Sequence, residues 1–110
     1  MADEPKSFAE RLDIVFQRLD RLPPAAGPDE AFAQLAVTMN AVEDEYSGVP
    51  FNPDAPLASD GRMYPPRADY ITRQADGSLT ALTKGHRIEI TPEGVLTIYS
   101  RRNGEVIYQR

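Results

Sequence analysis

Between residues 7 and 46 the apolar side chains fall three and four positions apart, whereas from residue 70 onward they alternate with polar ones. The first spacing belongs to amphipathic helices and the second to strands with one covered face. Ser7 with Glu10 three residues on forms a capping box, in which hydroxyl and carboxylate each satisfy a backbone donor left open at a helix start. Phe8, Leu12, Val15, Phe16, Leu19 and Leu22 then make one stripe. Pro23-Pro24 ends it, because proline disfavours helical geometry before it and cannot donate. A second helix opens at Pro28, whose fixed φ suits a first helical position, with Asp29 and Glu30 at the positive end of the helix dipole. Phe32, Leu35, Ala36, Met39, Val42 and Tyr46 line its apolar face, and Gly48 supplies the stop.

The last third reads as antiparallel strands. Residues 70–74 and 79–84 flank an Asp76-Gly77 turn, and residues 86–91 and 95–101 flank Pro92-Glu93-Gly94. Asn103-Gly104 is the strongest hairpin signal, since a two-residue type I′ turn needs positive φ at both central positions. Such a turn sets Arg102 opposite Glu105, Tyr99 opposite Tyr108 and Ile98 opposite Gln109. Four or five strands result, with Gly85 either a turn or a bend in one long strand. Ile88 and Ile90 share a face, but in the fourth strand Val95, Thr97 and Tyr99 oppose Leu96 and Ile98, so both faces are substantially apolar. The second face is then open to cover from the preceding segment or from another protein.

Residues 47–68 carry five prolines (Pro50, Pro53, Pro56, Pro65 and Pro66) and no regular period. Val49, Phe51, Leu57, Met63 and Tyr64 are apolar anchors that favour a strap wrapped on the body over a free linker. The fold class that follows is α+β. A helical hairpin (1–46), a proline-rich connection (47–68) and a β-meander (69–110) form one domain, with the hairpin packed on the meander. A helix-turn-helix DNA reader does not fit, because the second helix is acidic and a proline-rich loop follows it.

Composition narrows the chemistry. The 110 residues contain no cysteine and one histidine, which removes disulfides and thiol nucleophiles and makes a structural zinc site improbable. No apolar run is long enough to span a membrane, and the acidic start Met1-Ala2-Asp3-Glu4-Pro5 is no signal peptide, so a cytoplasmic location is expected. The net charge of −5 hides an asymmetry: residues 1–60 carry four basic and twelve acidic residues, and residues 61–110 carry eight basic and five acidic. Opposite halves either attract each other within the fold or mark a charged partner.

Few residues suggest chemistry. His86 lies between cations in Lys84-Gly85-His86-Arg87, where neighbouring positive charge would favour the neutral, base-competent imidazole. Arg62, Tyr64 and Arg67 would add phosphate contacts if the strap crosses the sheet. Against this, His86 shares strand parity with Ile88 and Ile90 and can simply begin a strand half-buried. Glu43, Asp44 and Glu45 look like a solvated helix end, and Asp54, Asp60 and Asp69 favour turns. No spacing matches a calcium loop, a phosphate-binding loop, a dinucleotide fingerprint or a serine-hydrolase elbow, so no metal or cofactor is expected. No motif ties the chain to a family.

Two roles are compatible with these features. One is a non-catalytic protein-interaction module of inhibitor, immunity or adaptor type, whose acidic helical half (Glu43, Asp44, Glu45) would steer a partner, a basic one being the natural complement. The other is a small nucleic-acid-acting enzyme or binder with His86 as base and Lys84, Arg87 and Arg62 on phosphate, which the overall acidity disfavours. A homodimer through the edge at residues 105–110 is a third possibility, since free strand edges are normally protected.

Overall fold

The computed structural model describes residues 5–54 and 60–110; Met1 to Glu4 and the strap residues from Ala55 to Ser59, Pro56 and Leu57 among them, lie outside the described residues. Two helices, α1 (Phe8–Asp20) and α2 (Pro28–Tyr46), precede five strands: β1 (Ile71–Arg73), β2 (Leu79–Leu82), β3 (His86–Ile90), β4 (Leu96–Ser100) and β5 (Val106–Gln109). The strands form one antiparallel sheet in chain order, so the α+β architecture of hairpin followed by meander is the observed one.

Helix α1 opens on the expected capping box: Glu10 N–H donates to the Ser7 hydroxyl at 3.2 Å and Ser7 N–H to the Glu10 carboxylate at 3.0 Å. It ends at Asp20, two residues short of the expected Leu22. Gly48 ends α2 in the left-handed region at φ 72°, and a Cβ there would meet Pro5 Cγ at 2.8 Å, so only glycine lets the N-terminal segment cross the helix end. Gly94 does the same service in the β3–β4 turn, where a Cβ would approach the carbonyl oxygens of Ala25 and Gly27.

The register places two apolar rows on the face beneath the helices. Ile71, Ala81, Ile88, Ile98 and Tyr108 form one, and Leu79, Ile90 and Leu96 the centre of the other. Val15 and Leu19 of α1 and Ala31, Leu35, Met39 and Val42 of α2 close over them, with Met63 of the strap. The second row ends in arginines that reach back to the helices. Arg73 pairs with Asp29 at the start of α2, and Arg110 donates to the carbonyls of Leu19, Leu22 and Pro23 where α1 finishes. Cations at a helix C-terminus satisfy carbonyls that the helix cannot.

The opposite sheet face carries Thr72, Thr80, Glu89, Thr97 and Gln109 in one row and Leu82, Arg87, Tyr99 and Val106 in the other. No described part of the strap covers it. The strap lies instead against the helices and the core face, tied there through Gly61, Arg62 and Met63. The face is therefore mixed and open, as one face of an antiparallel sheet commonly is.

The last hairpin corrects the expected register. Ser100 N–H donates to the Glu105 carbonyl, so residues 101–104 form a four-residue connection in place of a two-residue turn. Ile107 is the extra residue of a bulge between the Tyr99–Val106 and Ile98–Tyr108 pairs. Tyr108 thus lies across from Ile98, not Tyr99, and Arg102 has no strand partner. A slip of one residue moves a side chain to the other face. The observed register brings the Tyr108 ring onto Phe16, stacked at 4.4 Å between centroids, with its hydroxyl donating to Asp20 at 2.6 Å.

Leu35 is fully buried between helix and sheet. Leu35→Ala is expected to lower the unfolding free energy by about 3 kcal/mol, read as a drop in the guanidinium midpoint at unchanged slope.

Candidate binding site at the tip of the sheet

At the end of α2, Asp44 and Glu45 are solvent-exposed as expected, but Glu43 is not. Glu43 is fully buried, and its Oε1 accepts from Arg11 Nε at 2.8 Å while its Oε2 accepts the Met63 N–H at 3.3 Å. Arg11, buried on the α1 stripe, also donates to the carbonyls of Lys6 (2.7 Å) and Gly61 (2.9 Å). One guanidinium thereby holds the N-terminal segment, α2 and the strap to α1. Asp44 takes Arg62 at 2.6 Å, and Glu45 takes both terminal nitrogens of Arg18, which hold its carboxyl below the usual carboxylate range. Three successive carboxylates thus meet three arginines, two from α1 and one from the strap.

Arg62 is buried, and it is turned inward. Its guanidinium donates to the Val49 carbonyl and Asp44 and lies near the rings of Phe51 and Tyr64. Tyr64 donates its hydroxyl to Asp60 at 2.7 Å, which holds the Asp60 carboxyl low. Arg67 donates to the Pro53 carbonyl. Arg87 points to the open sheet face, where it pairs with Glu89 and sits 4.4 Å over the Tyr99 ring. Of the sequence candidates, His86, Lys84 and Tyr64 come together; Arg62, Arg67 and Arg87 do not join them, and Glu43, Asp44 and Glu45 lie along α2.

The place where they meet is an apolar pocket of about 40 Å³ at one end of the sheet. Phe8 and Leu12 of α1, Met39 of α2, and Met63 and Tyr64 of the strap line it with His86 and the β2–β3 turn. The Phe8 ring lies parallel to the imidazole at 6.1 Å between centroids, with Phe8 itself 47% exposed. His86 thus begins its strand half-buried on the core face, as its parity implied. Burial pushes its pKa below the ordinary 6.5; desolvation is the cause, not the neighbouring cations. No carboxylate or hydroxyl of a described residue hydrogen-bonds its ring nitrogens, so nothing orients it as the general base of a relay.

Sequence reasoning missed the rim. Thr83, Lys84 and Gly85 connect β2 to β3, and residues 101–104 connect β4 to β5, so in a meander both turns fall at the same end. They are stitched together: Arg101 N–H donates to the Gly85 carbonyl at 3.0 Å and Arg101 Nη1 to the Thr83 carbonyl at 2.8 Å. Lys84, Arg101 and Arg102 are exposed on these turns; Lys84 lines the pocket, and Arg101 reaches two residues of its lining, Thr83 and Gly85. The detectable signal was the pair of basic turns two hairpins apart.

At the other end of the sheet, a cavity of about 230 Å³ lies between Pro24, Gln34, Val95 and Arg110, but its arginine is engaged on the α1 carbonyls. The outer edge of β5 pairs with no strand and exposes Val106 and Ile107. Among the described residues no three His, Asp or Glu side chains gather as a metal would require, and no helix is long and apolar enough to cross a membrane. Comparison with protein-family models, with curated proteins and with solved structures found no match to the chain.

Titration of the His86 Cε1 proton by NMR is expected to give a midpoint below 6.5 that rises when Phe8→Ala opens the ring to water. The sign for stability follows: the unfolded chain binds the proton more readily, so His86 stabilises less as pH falls from 6.5 towards its folded midpoint. An unshifted midpoint would show that the pocket does not desolvate the imidazole.

Proposed function

We propose that the protein is a non-catalytic recognition module that captures one apolar side chain of a partner protein in the His86 pocket. The size of that pocket carries the proposal. Small-molecule sites enclose roughly 300–1,000 Å³, whereas about 40 Å³ between Phe8, Met63, Tyr64 and His86 suits the end of a single side chain. Buried apolar anchors of this kind commonly dominate protein interfaces. A neutral imidazole without an orienting group, facing apolar walls, supports recognition over acid–base work. An inhibitor, immunity or adaptor role fits these features. The acidic steering expected of Glu43, Asp44 and Glu45 is reduced by their arginine partners, so the pocket and its rim are the better candidates for the contact.

A second role, contact with nucleic acid, draws support from one observation: Lys84, Arg101 and Arg102 are gathered on exposed turns beside His86. Against it stand the net charge of −5 and the inward commitment of Arg62.

Affinity capture on the tagged full chain, compared with Phe8→Asp, separates the two. An aspartate at the first position of α1 suits the helix dipole and keeps the fold while removing an apolar wall of the pocket. A protein partner retained by the parent and lost by Phe8→Asp is expected. Cleavage of RNA or DNA by the purified protein that disappears in His86→Ala would contradict the recognition role and favour the second.

A further inference from the structure

Three cations without an ion pair gather at the tip, whereas Lys6 lies over the Tyr46 ring and Arg21 is exposed at the end of α1. Among the described residues, Arg11, Arg18, Arg62, Arg73 and Arg87 each meet a carboxylate, and Arg110 serves the α1 carbonyls. Among the described residues the Lys84 and Arg102 side chains form no hydrogen bond or ion pair, and the Arg101 guanidinium bonds the Thr83 carbonyl. The two turns that carry them are joined by the Arg101 bonds, which keeps the three residues at one end of the sheet. Glu105 is the one carboxylate on these turns, and Asp60, across the pocket, is occupied by Tyr64 and the Arg62 N–H. A fixed cationic rim bordering a one-side-chain apolar pocket is complementary to a segment with the inverse pattern.

We propose that this tip binds an acidic segment of a partner protein, one apolar side chain entering the His86 pocket and neighbouring carboxylates meeting Lys84, Arg101 and Arg102. The inference rests on the recognition role above and names the chemistry of its partner. Carboxylates suit this rim better than nucleic acid does. Three charges neutralise few phosphates, and the rest of an acidic protein repels a long polyanion. Base binding without sequence readout also needs open aromatic faces. Here Phe8 has one ring face on His86 and so offers a single platform, and Tyr99 lies on the opposite sheet face beneath Arg87. Each rim contact is exposed and screened by salt, so the charges add selectivity and encounter rate to an anchor that supplies the apolar contact.

The test is a titration of the full chain, followed by backbone amide NMR, with three probes. These are a ten-residue Asp/Glu-rich peptide bearing one leucine, the same peptide with its acids changed to amides, and a single-stranded RNA of equal length. The acidic peptide is expected to shift the amides of Lys84, Gly85, His86, Arg101 and Arg102. Changing its acids to amides, or introducing Lys84→Glu with Arg102→Glu into the protein, is expected to weaken it by roughly tenfold or more. Those two side chains are unbonded, so the doubly substituted chain keeps its fold. Equal binding of the amide peptide, still lost in Phe8→Asp, overturns the acidic partner while leaving the recognition role intact. Saturable RNA binding at the same amides, with the acidic peptide inert, overturns it in favour of nucleic acid. Failure of all three probes also overturns it, whatever partner the capture experiment returns.

Discussion

The ion pair between Arg11 and Glu43 is where four separate parts of the chain are joined. Arginine and glutamate are both removed from water, and each uses its remaining hydrogen-bonding capacity on backbone: Lys6 and Gly61 carbonyls for the guanidinium, the Met63 amide for the second carboxylate oxygen. Burying either charge alone would be prohibitive, so the pair stands or falls together. Its geometric consequence is larger than its net stabilisation. It fixes the N-terminal segment just before Phe8 and the strap just before Tyr64, and these two residues are opposite walls of the His86 pocket. Arg62 continues the arrangement by tying the strap to Asp44 and the Val49 carbonyl.

The pocket is thus assembled from distant sequence by polar interactions, on a platform assembled by apolar ones. The sheet's covered face and the two helices account for the core, with Met63 the strap's contribution to it. That division explains why the site lies at the tip. There the core thins out, α1 begins, and the strap crosses between the helices and the β2–β3 turn. It also explains the neutral histidine, which is simply the last core-face position of β3 before the turn, half-covered by Phe8.

Much of the fold was legible because its signals are local. The Ser7–Glu10 box, the proline pair after α1, Pro28 and the turn glycines mark the elements within a few residues of their observed limits. The charged residues were legible only in principle. Arg11 falls four positions before Val15 on the α1 stripe, and Glu43 four after Met39 on that of α2, so each stripe carried one opposite charge at the same end of the hairpin. Reading Glu43 with Asp44 and Glu45 as a run concealed this, because adjacent helical residues point in different directions. The register of the last hairpin was decided by tertiary fit, in which Tyr108 gains Phe16 and Asp20 on the core face, over the local preference of Asn103-Gly104. The cationic rim depended on strand order, which brings turns far apart in sequence to one end of the sheet.

The central claim is that Arg11 and Glu43 act as one unit, and a double-mutant cycle tests it most directly. Arg11→Met and Glu43→Met, alone and together, would be compared by guanidinium unfolding. Each single substitution leaves a buried charge unpaired and is expected to lose about 3–5 kcal/mol. The double substitution removes both charges and is expected to lose less than either single, which requires a coupling above about 3 kcal/mol. Losses that simply add would contradict the account, since they would mean that the two side chains stabilise the fold independently.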